Sequence, residues 1–161
     1  KKTERVYINP GNFNNEIGMP LSLINMPAHI NICILEIGMN QYGEIRKLTK
    51  IAKPDIAIIT NIGLAHVGNF KKPEDIASEK GEIFSFLNKN SYALIPSNSQ
   101  YCTFLFKKAS EKCDKIILFG IKNDSHVTFK EISPNNFLFS ILETKIELKK
   151  IVTLNIGKIM C

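Results

Sequence analysis

The chain has 161 residues, of which 44% are hydrophobic and 22% are charged, and its formal net charge is +6. This is an ordinary globular composition, long enough for one buried core, so we expect a single domain. The positive charges are scattered in pairs such as Lys71-Lys72 and form no basic run interleaved with aromatic residues. This argues against a nucleic-acid-binding surface and is easier to reconcile with an anionic small ligand.

Short β-branched runs alternate with segments of helical periodicity through the first 120 residues. Strands are predicted for 5–8, 30–35, 55–60, 92–95 and 115–119, and helices for 15–26, 43–52, 73–87 and 101–112. Two of the predicted strands, 30–35 and 55–60, are continuously apolar, which is typical of strands buried on both faces. The alternation predicts an α/β fold, a mostly parallel sheet with helices on both faces. Ligands of such sheets bind beyond the carboxyl ends of the strands.

The pattern changes after Gly120. Segments 127–132, 137–142 and 145–152 have strand character, and they are joined by the turn signals Ser133-Pro134-Asn135-Asn136 and Glu143-Thr144. This predicts a small antiparallel appendage over residues 121–157, attached to an α/β core of residues 1–120. We expect the whole chain, residues 1–161, to belong to one domain.

The cysteines and the apolar segments indicate the cellular compartment in which we expect the protein. Cys33, Cys102, Cys113 and Cys161 form no C-x-x-C pair and have no histidine at zinc-ligand spacing, so they predict neither a zinc site nor a disulfide framework. No signal-peptide segment begins the chain, and no apolar run approaches the roughly 18 residues of a membrane span. We therefore expect a soluble, cytoplasmic protein without a membrane partner.

Polar residues follow two of the predicted strands at once. Glu36 stands at the tip of the strand 30–35, and Mg²⁺ typically takes one or two protein carboxylates together with phosphate and water. A helix-capping or salt-bridged glutamate would occupy the same position. His66 follows the strand 55–60 after a turn that Gly63 permits, although a lone histidine is more often a structural residue. Lys80 lies in the helical segment SEKGEIF, where a charged residue usually belongs to a solvated face.

Three asparagines, Asn12, Asn14 and Asn15, lie directly ahead of the first predicted helix in GNFNNEIGMPL. One asparagine is enough to cap a helix N-terminus, because its side-chain oxygen accepts a bond from a free backbone N–H. The group of three therefore suggests a further ligand.

Four segments carry a family resemblance: GNFNNEIGMPLSL, ILEIGMNQYGEI, KPDIAIITNIGLAHVGNF and PEDIASEKGEIF. They lie between Gly11 and Phe84 and resemble, in the same order, the central ATP-binding domain of the Mur ligases, which has a P-loop-NTPase-like fold. They are most similar to the branch that adds D-alanyl-D-alanine to UDP-N-acetylmuramoyl-tripeptide in peptidoglycan synthesis. The similarity continues more weakly to about residue 157.

The resemblance implies an ATP-dependent ligase that forms an amide bond. ATP would phosphorylate the carboxylate of the UDP-MurNAc-peptide, and the incoming amine would attack the resulting acyl phosphate. Two other interpretations remain open. In the first, the chain is a catalytically inactive remnant or a nucleotide-binding module. In the second, it belongs to a ligase similar to folylpolyglutamate synthase.

The resemblance also implies roles for particular residues. Glu36 would bind a magnesium ion shared with the nucleotide phosphates, and His66 and Lys80 would hold a second magnesium ion. Lys80 would be carbamylated by CO₂, which turns the amine into a carboxylate-like oxygen ligand and requires the neutral amine. Asn15 would lie near the ATP γ-phosphate and the substrate carboxylate, where an amide N–H₂ and a helix N-terminus stabilise negative charge. Asn12 and Asn14 would shape the loop.

The sequence departs from the family pattern in three places. The glycine-rich P-loop that precedes the asparagine-rich stretch in the family has no counterpart between Lys1 and Ile8. Pro96 replaces the first asparagine of the family's Asn-x-Asp motif at the adenine pocket, which leaves Asn98 to supply part of that pocket. Ile159 stands where the family has a histidine. We therefore expect a fragment without the two flanking domains, inactive alone, for which a separate amino-terminal piece of the enzyme is a candidate partner.

Overall fold

The computed structural model describes residues 4–63, 69–70, 72–122, 124–133, 136–141 and 144–149. Its elements, in chain order, are β1 Val6–Ile8, α1 Gly18–Ile24, β2 Ile32–Ile34, α2 Glu44–Ala52, β3 Ile56–Ile58, α3 Pro73–Gly81, a 3₁₀ turn Glu82–Phe84, β4 Tyr92–Pro96, α4 Cys102–Ser110, β5 Lys115–Gly120, β6 Val127–Ser133, β7 Asn136–Ile141 and β8 Thr144–Lys149. Within those ranges no helix has both the length and the apolar character needed to span a membrane.

The strands form two sheets. β1 and β2 make a parallel pair, and the second sheet has the order β3-β4-β5-β6-β7-β8. The strands β3 to β6 are parallel, whereas β7 is antiparallel to both β6 and β8. The expected α/β fold, a mostly parallel sheet with a small antiparallel appendage, is confirmed. Because β6 pairs with β5, the appendage extends the main sheet directly.

The main core lies between the second sheet and a layer of helices. Its buried residues come from one face of β3 and β4, from the 3₁₀ turn and from α4, and they are Ala57, Ile59, Phe84, Leu87, Ala93, Ile95, Leu105, Ala109 and Cys113. The helix α2 joins this layer because its apolar residues Ile45 and Leu48, three positions apart, are buried together. It ends at Ala52, and the next residue, Lys53, adopts a left-handed conformation directly before Pro54.

The prediction that β2 and β3 are buried on both faces is wrong. Ile32 and Ile34 of β2 are 44% and 50% exposed, and Ile56 and Ile58 of β3 are 57% and 47% exposed. Each strand forms the edge of its sheet, and the helix layer covers Ala57 on the opposite face of β3. A continuous apolar run in the sequence predicts a strand. It does not predict which face of that strand is buried by the described residues.

The segment 73–87, expected as one helix, is divided. The helix α3 ends at Gly81, and Glu82 begins a 3₁₀ turn. The Glu82 carboxylate accepts hydrogen bonds from Lys108 of α4, from Ser85 and from Arg46 of α2. Burial alone would raise the pKa of Glu82, but these bonds outweigh that effect and lower the pKa to about 2. This network joins α2 and α4 at the end of α3.

The network predicts an acid-sensitive stability. The folded-state pKa of Glu82 lies below its ordinary value of 4.5, so its contribution is complete above pH 4.5 and is lost as the pH falls towards 2. We expect about 1–3 kcal/mol of unfolding free energy to depend on Glu82 over this range. Urea unfolding followed by circular dichroism at several pH values measures it. Glu82→Gln should flatten the curve in that window, and an unchanged curve would contradict the assignment.

Candidate functional site

A cavity of about 150 Å³ lies at the carboxyl ends of β2 and β3. Its lining includes the segment that follows β2, the residues that follow β3, the asparagine-rich loop and one turn of α3. The polar side chains among the lining residues are Asn14, Glu36, Thr60, Asn61 and Lys80. The carboxyl ends of β2, in the first sheet, and β3, in the second sheet, come together at this cavity, so segments remote in sequence meet here.

The backbone of Glu36 is fixed by Asn9, a buried residue that follows β1. Asn9 Oδ1 accepts the N–H of Glu36 at 2.8 Å, and Asn9 Nδ2 donates to the carbonyl of Glu36 at 3.2 Å. The same Nδ2 donates to the carbonyl of Phe13 at 2.8 Å. One side-chain amide therefore joins the end of β2 to the asparagine-rich loop.

The side chain of Glu36 is held by Asn14. Asn14 Nδ2 donates to Glu36 Oε1 at 2.9 Å, and the carbonyl of Asn14 accepts the N–H of Gly38 at 2.8 Å. A Cβ at Gly38 would lie 3.0 Å from Asn14 Cγ, so the glycine lets the amide approach closely. This arrangement leaves Glu36 Oε2 without a partner among the hydrogen bonds of the described residues.

Lys80 enters the cavity from α3. Its Nζ donates to the carbonyl of Asn61 at 2.8 Å, just after β3. Burial lowers the pKa of Lys80, because the charged ammonium loses solvation in the half-buried position. The cavity thus contains one carboxylate and one amine that is easier to deprotonate than a surface lysine.

The orientation of Lys80 is set by its neighbour Glu79. The Glu79 side chain is buried, and its two oxygens accept the N–H groups of Gly43 at 2.9 Å and Ile45 at 3.0 Å. These groups lie at the start of α2, where free N–H groups and the helix dipole favour an anion. The carboxylate therefore fastens α3 to α2 and directs the next residue, Lys80, towards the cavity.

The other predicted site residues lie elsewhere or outside the described ranges. Asn15 is exposed, and its Oδ1 accepts N–H bonds from Ile17 at 3.1 Å and Gly18 at 2.8 Å. Those bonds use only the oxygen, so the Nδ2 hydrogens remain for another acceptor. His66 lies outside the described residues. The structure brings Glu36 and Lys80 to one cavity, with Asn14 lining it where we expected a loop-shaping residue.

Asn98 lies in the loop after β4 and is exposed. The loop contacts the end of β5 at Gly120, whose φ is 151°. A Cβ at Gly120 would lie 2.5 Å from Ser97 Oγ and 2.9 Å from Asn98 Oδ1, so only glycine fits. Ser125 Oγ donates to Ser97 Oγ at 2.7 Å. A second cavity, lined by Ser97 and Ser99 among others, opens beside this loop.

Sequence reasoning missed Asn9 and Glu79. Asn9 had a usable signal, because it is the first polar residue after β1, and β1 pairs with β2 so that Ile8 lies opposite Ile34. That register places Asn9 beside the residues that precede Glu36. Glu79 had no comparable signal, since an acidic residue in a helix is usually exposed and only the packing of α3 on α2 buries it.

The cavity residues can supply one protein ligand to a magnesium ion, but not a complete coordination shell. Among the described residues, no group of three or more His, Cys, Asp or Glu side chains converges on one point. Glu36 supplies a single carboxylate, which is the usual protein share of a magnesium ion that is otherwise bound by phosphate and water. An unmodified Lys80 donates hydrogen bonds and cannot ligate a cation.

Comparison with models of protein families shows which family the chain belongs to. The model of the Mur ligase middle domain matches residues 1–159. The chain belongs to the Mur ligase family. Two curated UDP-N-acetylmuramoyl-tripeptide–D-alanyl-D-alanine ligases are similar in sequence. The one from Treponema pallidum is 46% identical over 101 residues, which cover 63% of this chain and 22% of that protein. The one from Buchnera aphidicola subsp. Baizongia pistaciae is 39% identical over 125 residues, covering 78% and 27%.

Solved structures agree with this assignment to the Mur ligases. A crystal structure of MurF from Acinetobacter baumannii matches with a TM-score of 0.83 and 27% identity over 91% of this chain and 32% of that one. A bifunctional folylpolyglutamate synthase/dihydrofolate synthase matches with a TM-score of 0.55 and 21% identity, over 80% of this chain and 29% of that one. At this identity the match shows a shared fold only. The chain spans about a fifth to a third of the lengths of these relatives.

The contact between Glu79 and α2 leads to a prediction. Glu79→Ala leaves the buried N–H of Ile45 and the partly buried N–H of Gly43 without an acceptor, so we expect a loss of about 2–3 kcal/mol in unfolding free energy. Glu79→Gln keeps one acceptor oxygen and should lose less. Urea unfolding measures both variants, with Glu74→Ala, an exposed position on the same helix, as the matched control. Equal stability of Glu79→Ala and the control would contradict the role of Glu79.

Proposed function

We propose that this chain is the ATP-binding middle part of a ligase that adds D-alanyl-D-alanine to UDP-N-acetylmuramoyl-tripeptide. One observation carries the proposal: Glu36 and Lys80, which come from different segments, line the same cavity at the carboxyl ends of β2 and β3. The relatives named above carry this activity in their names, and a MurF ligase from Thermotoga maritima with 28% identity, over 91% of this chain and 34% of that one, was crystallised in complex with ADP.

Glu36 is proposed as the protein ligand of a magnesium ion that also contacts the nucleotide phosphates. A bound magnesium ion would neutralise charge on the phosphates during transfer. The hydrogen bond from Asn14 holds Oε1 in place, and Oε2 remains for a cation. Asn15, at the start of α1, is proposed to donate its Nδ2 hydrogens to a phosphate or to the substrate carboxylate. Asn98 is proposed to contribute to the adenine pocket.

Lys80 is proposed to be carbamylated and to hold a second magnesium ion together with His66. In that reaction the lone pair of Nζ attacks the carbon of CO₂, an N–C bond forms, and Nζ loses a proton to leave a carbamate anion. The lowered pKa of Lys80 increases the fraction of neutral amine that can react. The carbamate would offer oxygen ligands in a place where the amine offers only donors.

Calorimetric titration of the protein with Mg-ATP tests the proposed function. We expect heat of binding that depends on magnesium, and in Glu36→Gln the dependence on magnesium should weaken, because the carboxylate charge is lost while the shape is kept. Glu4→Gln, an exposed position remote from the cavity, is the control. Absence of binding at millimolar nucleotide would instead support an inactive remnant. Unchanged magnesium dependence in Glu36→Gln would remove Glu36 from the site.

Lys80 can be tested by activity and by direct labelling. In the full-length protein that carries these residues, Lys80→Ala should abolish ligase activity, and a high concentration of a short carboxylic acid should restore part of it. Incubation with ¹³C-labelled bicarbonate should give a carbamate signal in carbon NMR that disappears in Lys80→Ala. Lys50→Ala, an exposed lysine on α2, should keep both properties. Full activity of Lys80→Ala without the acid would defeat the assignment.

A further inference from the structure

A buried asparagine, Asn9, connects two segments that border the cavity. It directly follows β1 and is only 5% exposed. Its backbone N–H donates to the carbonyl of Ile34, the last residue of β2, at 3.3 Å. A buried amide costs free energy unless other hydrogen bonds replace its bonds to water. Within the described chain, the hydrogen bonds of the Asn9 amide go to backbone groups of residues 13 and 36.

The first of these segments is the end of β2. The Asn9 amide accepts the N–H of Glu36 at 2.8 Å and donates to the carbonyl of Glu36 at 3.2 Å. These are the two kinds of bond that a neighbouring strand would supply, so the side chain continues the pairing of β1 with β2 past Ile34. Asn9 therefore holds the backbone of Glu36 and leaves its carboxylate to Asn14 and the cavity.

The second segment is the asparagine-rich loop. Asn9 Nδ2 also donates to the carbonyl of Phe13 at 2.8 Å. A Cβ at Gly18 would lie 2.6 Å from Phe13 Cα, so the loop packs directly on the first turn of α1. Asn15, two residues after Phe13, accepts the N–H groups of Ile17 and Gly18 at the start of the same helix. The position of Phe13 therefore helps to set the position of Asn15.

We propose that Asn9 is a positioning residue that couples the binding of a cation at Glu36 to the binding of an anion at Asn15. This role rests on the proposed function, in which these two residues bind magnesium and phosphate. Asn9 is not among the residues that line the cavity, so it acts through its neighbours. A cation that fixes Glu36 also restricts the loop that carries Asn15, and an anion at Asn15 restricts Glu36 in return. Coupling between two binding sites is necessarily reciprocal.

The chemistry of the side chain explains why an asparagine suits this position. The position needs an acceptor for one N–H group and a donor for two carbonyls, and an uncharged amide offers both. In Asn9→Asp the acceptor is kept, but an oxygen replaces Nδ2 opposite the carbonyls of Glu36 and Phe13. Asn14 forms a second link, because its Nδ2 donates to Glu36 Oε1. Loss of the Asn9 link should therefore reduce the coupling without abolishing it.

Calorimetry on the full-length protein that carries these residues tests the coupling. ATP is titrated once with excess magnesium and once with EDTA, and the ratio of the two dissociation constants measures how far magnesium strengthens nucleotide binding. We expect this ratio to fall about tenfold in Asn9→Asp and in Asn9→Ala, as is typical for residues that orient a metal ligand. Formation of Mg-ATP in solution is the same for every variant. Asn25→Asp, which removes an amide-to-carbonyl bond of 2.9 Å at the end of α1, is the matched control and should keep the ratio.

A purely structural role of Asn9 would weaken nucleotide binding by the same factor with and without magnesium. An unchanged ratio in the Asn9 variants would therefore overturn the coupling and leave the proposed function intact, whereas absence of nucleotide binding by the unsubstituted protein would overturn both.

A second measurement needs neither nucleotide nor a substitution at Asn9. Magnesium chloride alone should slow the hydrogen exchange of residues 11–18 in the unsubstituted protein, as measured by mass spectrometry, because a cation at Glu36 restricts the loop. Glu36→Gln should remove this effect. Unchanged exchange in that segment on addition of magnesium would overturn the coupling even in a protein that binds Mg-ATP.

Discussion

The buried carboxylate of Glu79 is the interaction on which the arrangement of the site depends. It accepts two backbone N–H groups at the start of α2 and thereby sets both the position and the rotation of α3. Consecutive residues of a helix point about 100° apart, so a fixed Glu79 also fixes the direction of Lys80. The Glu82 network, directly after the same carboxyl-terminal end of α3, adds contacts to α2 and α4. The Lys80 amine therefore reaches the cavity from a helix whose position is fixed by two sets of contacts.

The chemistry of the cavity follows from the different environments of its carboxylate, Glu36, and its amine, Lys80. Glu36 is anchored through its backbone by Asn9 and through one oxygen by Asn14, both of which are uncharged. Amide donors orient the carboxylate without neutralising it, so its negative charge remains for a cation. Lys80 is placed where desolvation favours the neutral amine. The two groups are therefore suited to different tasks within the same cavity.

Sequence reasoning predicted the architecture and part of the cavity, and its errors have physical causes. Alternating periodicities gave the order of the elements, and the rule that ligands bind at carboxyl ends of parallel strands pointed to Glu36. Periodicity placed Lys80 on a solvated helix face, and only the family resemblance singled it out. The contact of Asn14 with Glu36 depends on loop geometry and on Gly38, which no local pattern encodes. The apolar runs of β2 and β3 predicted strands correctly but not the exposed face of each.

Gly120 has a mechanical consequence for the far side of the sheet. No side chain fits there, because Ser97 and Asn98 occupy the space that a Cβ would need. The turns after β4 and β5 are therefore in direct contact and behave as one rim, with Ser125 hydrogen bonded across it on the way into β6. A movement of the loop after β4 that displaced Ser97 would break its hydrogen bond with Ser125, just before β6. The position of that loop and the start of the antiparallel strands are therefore linked by a direct contact.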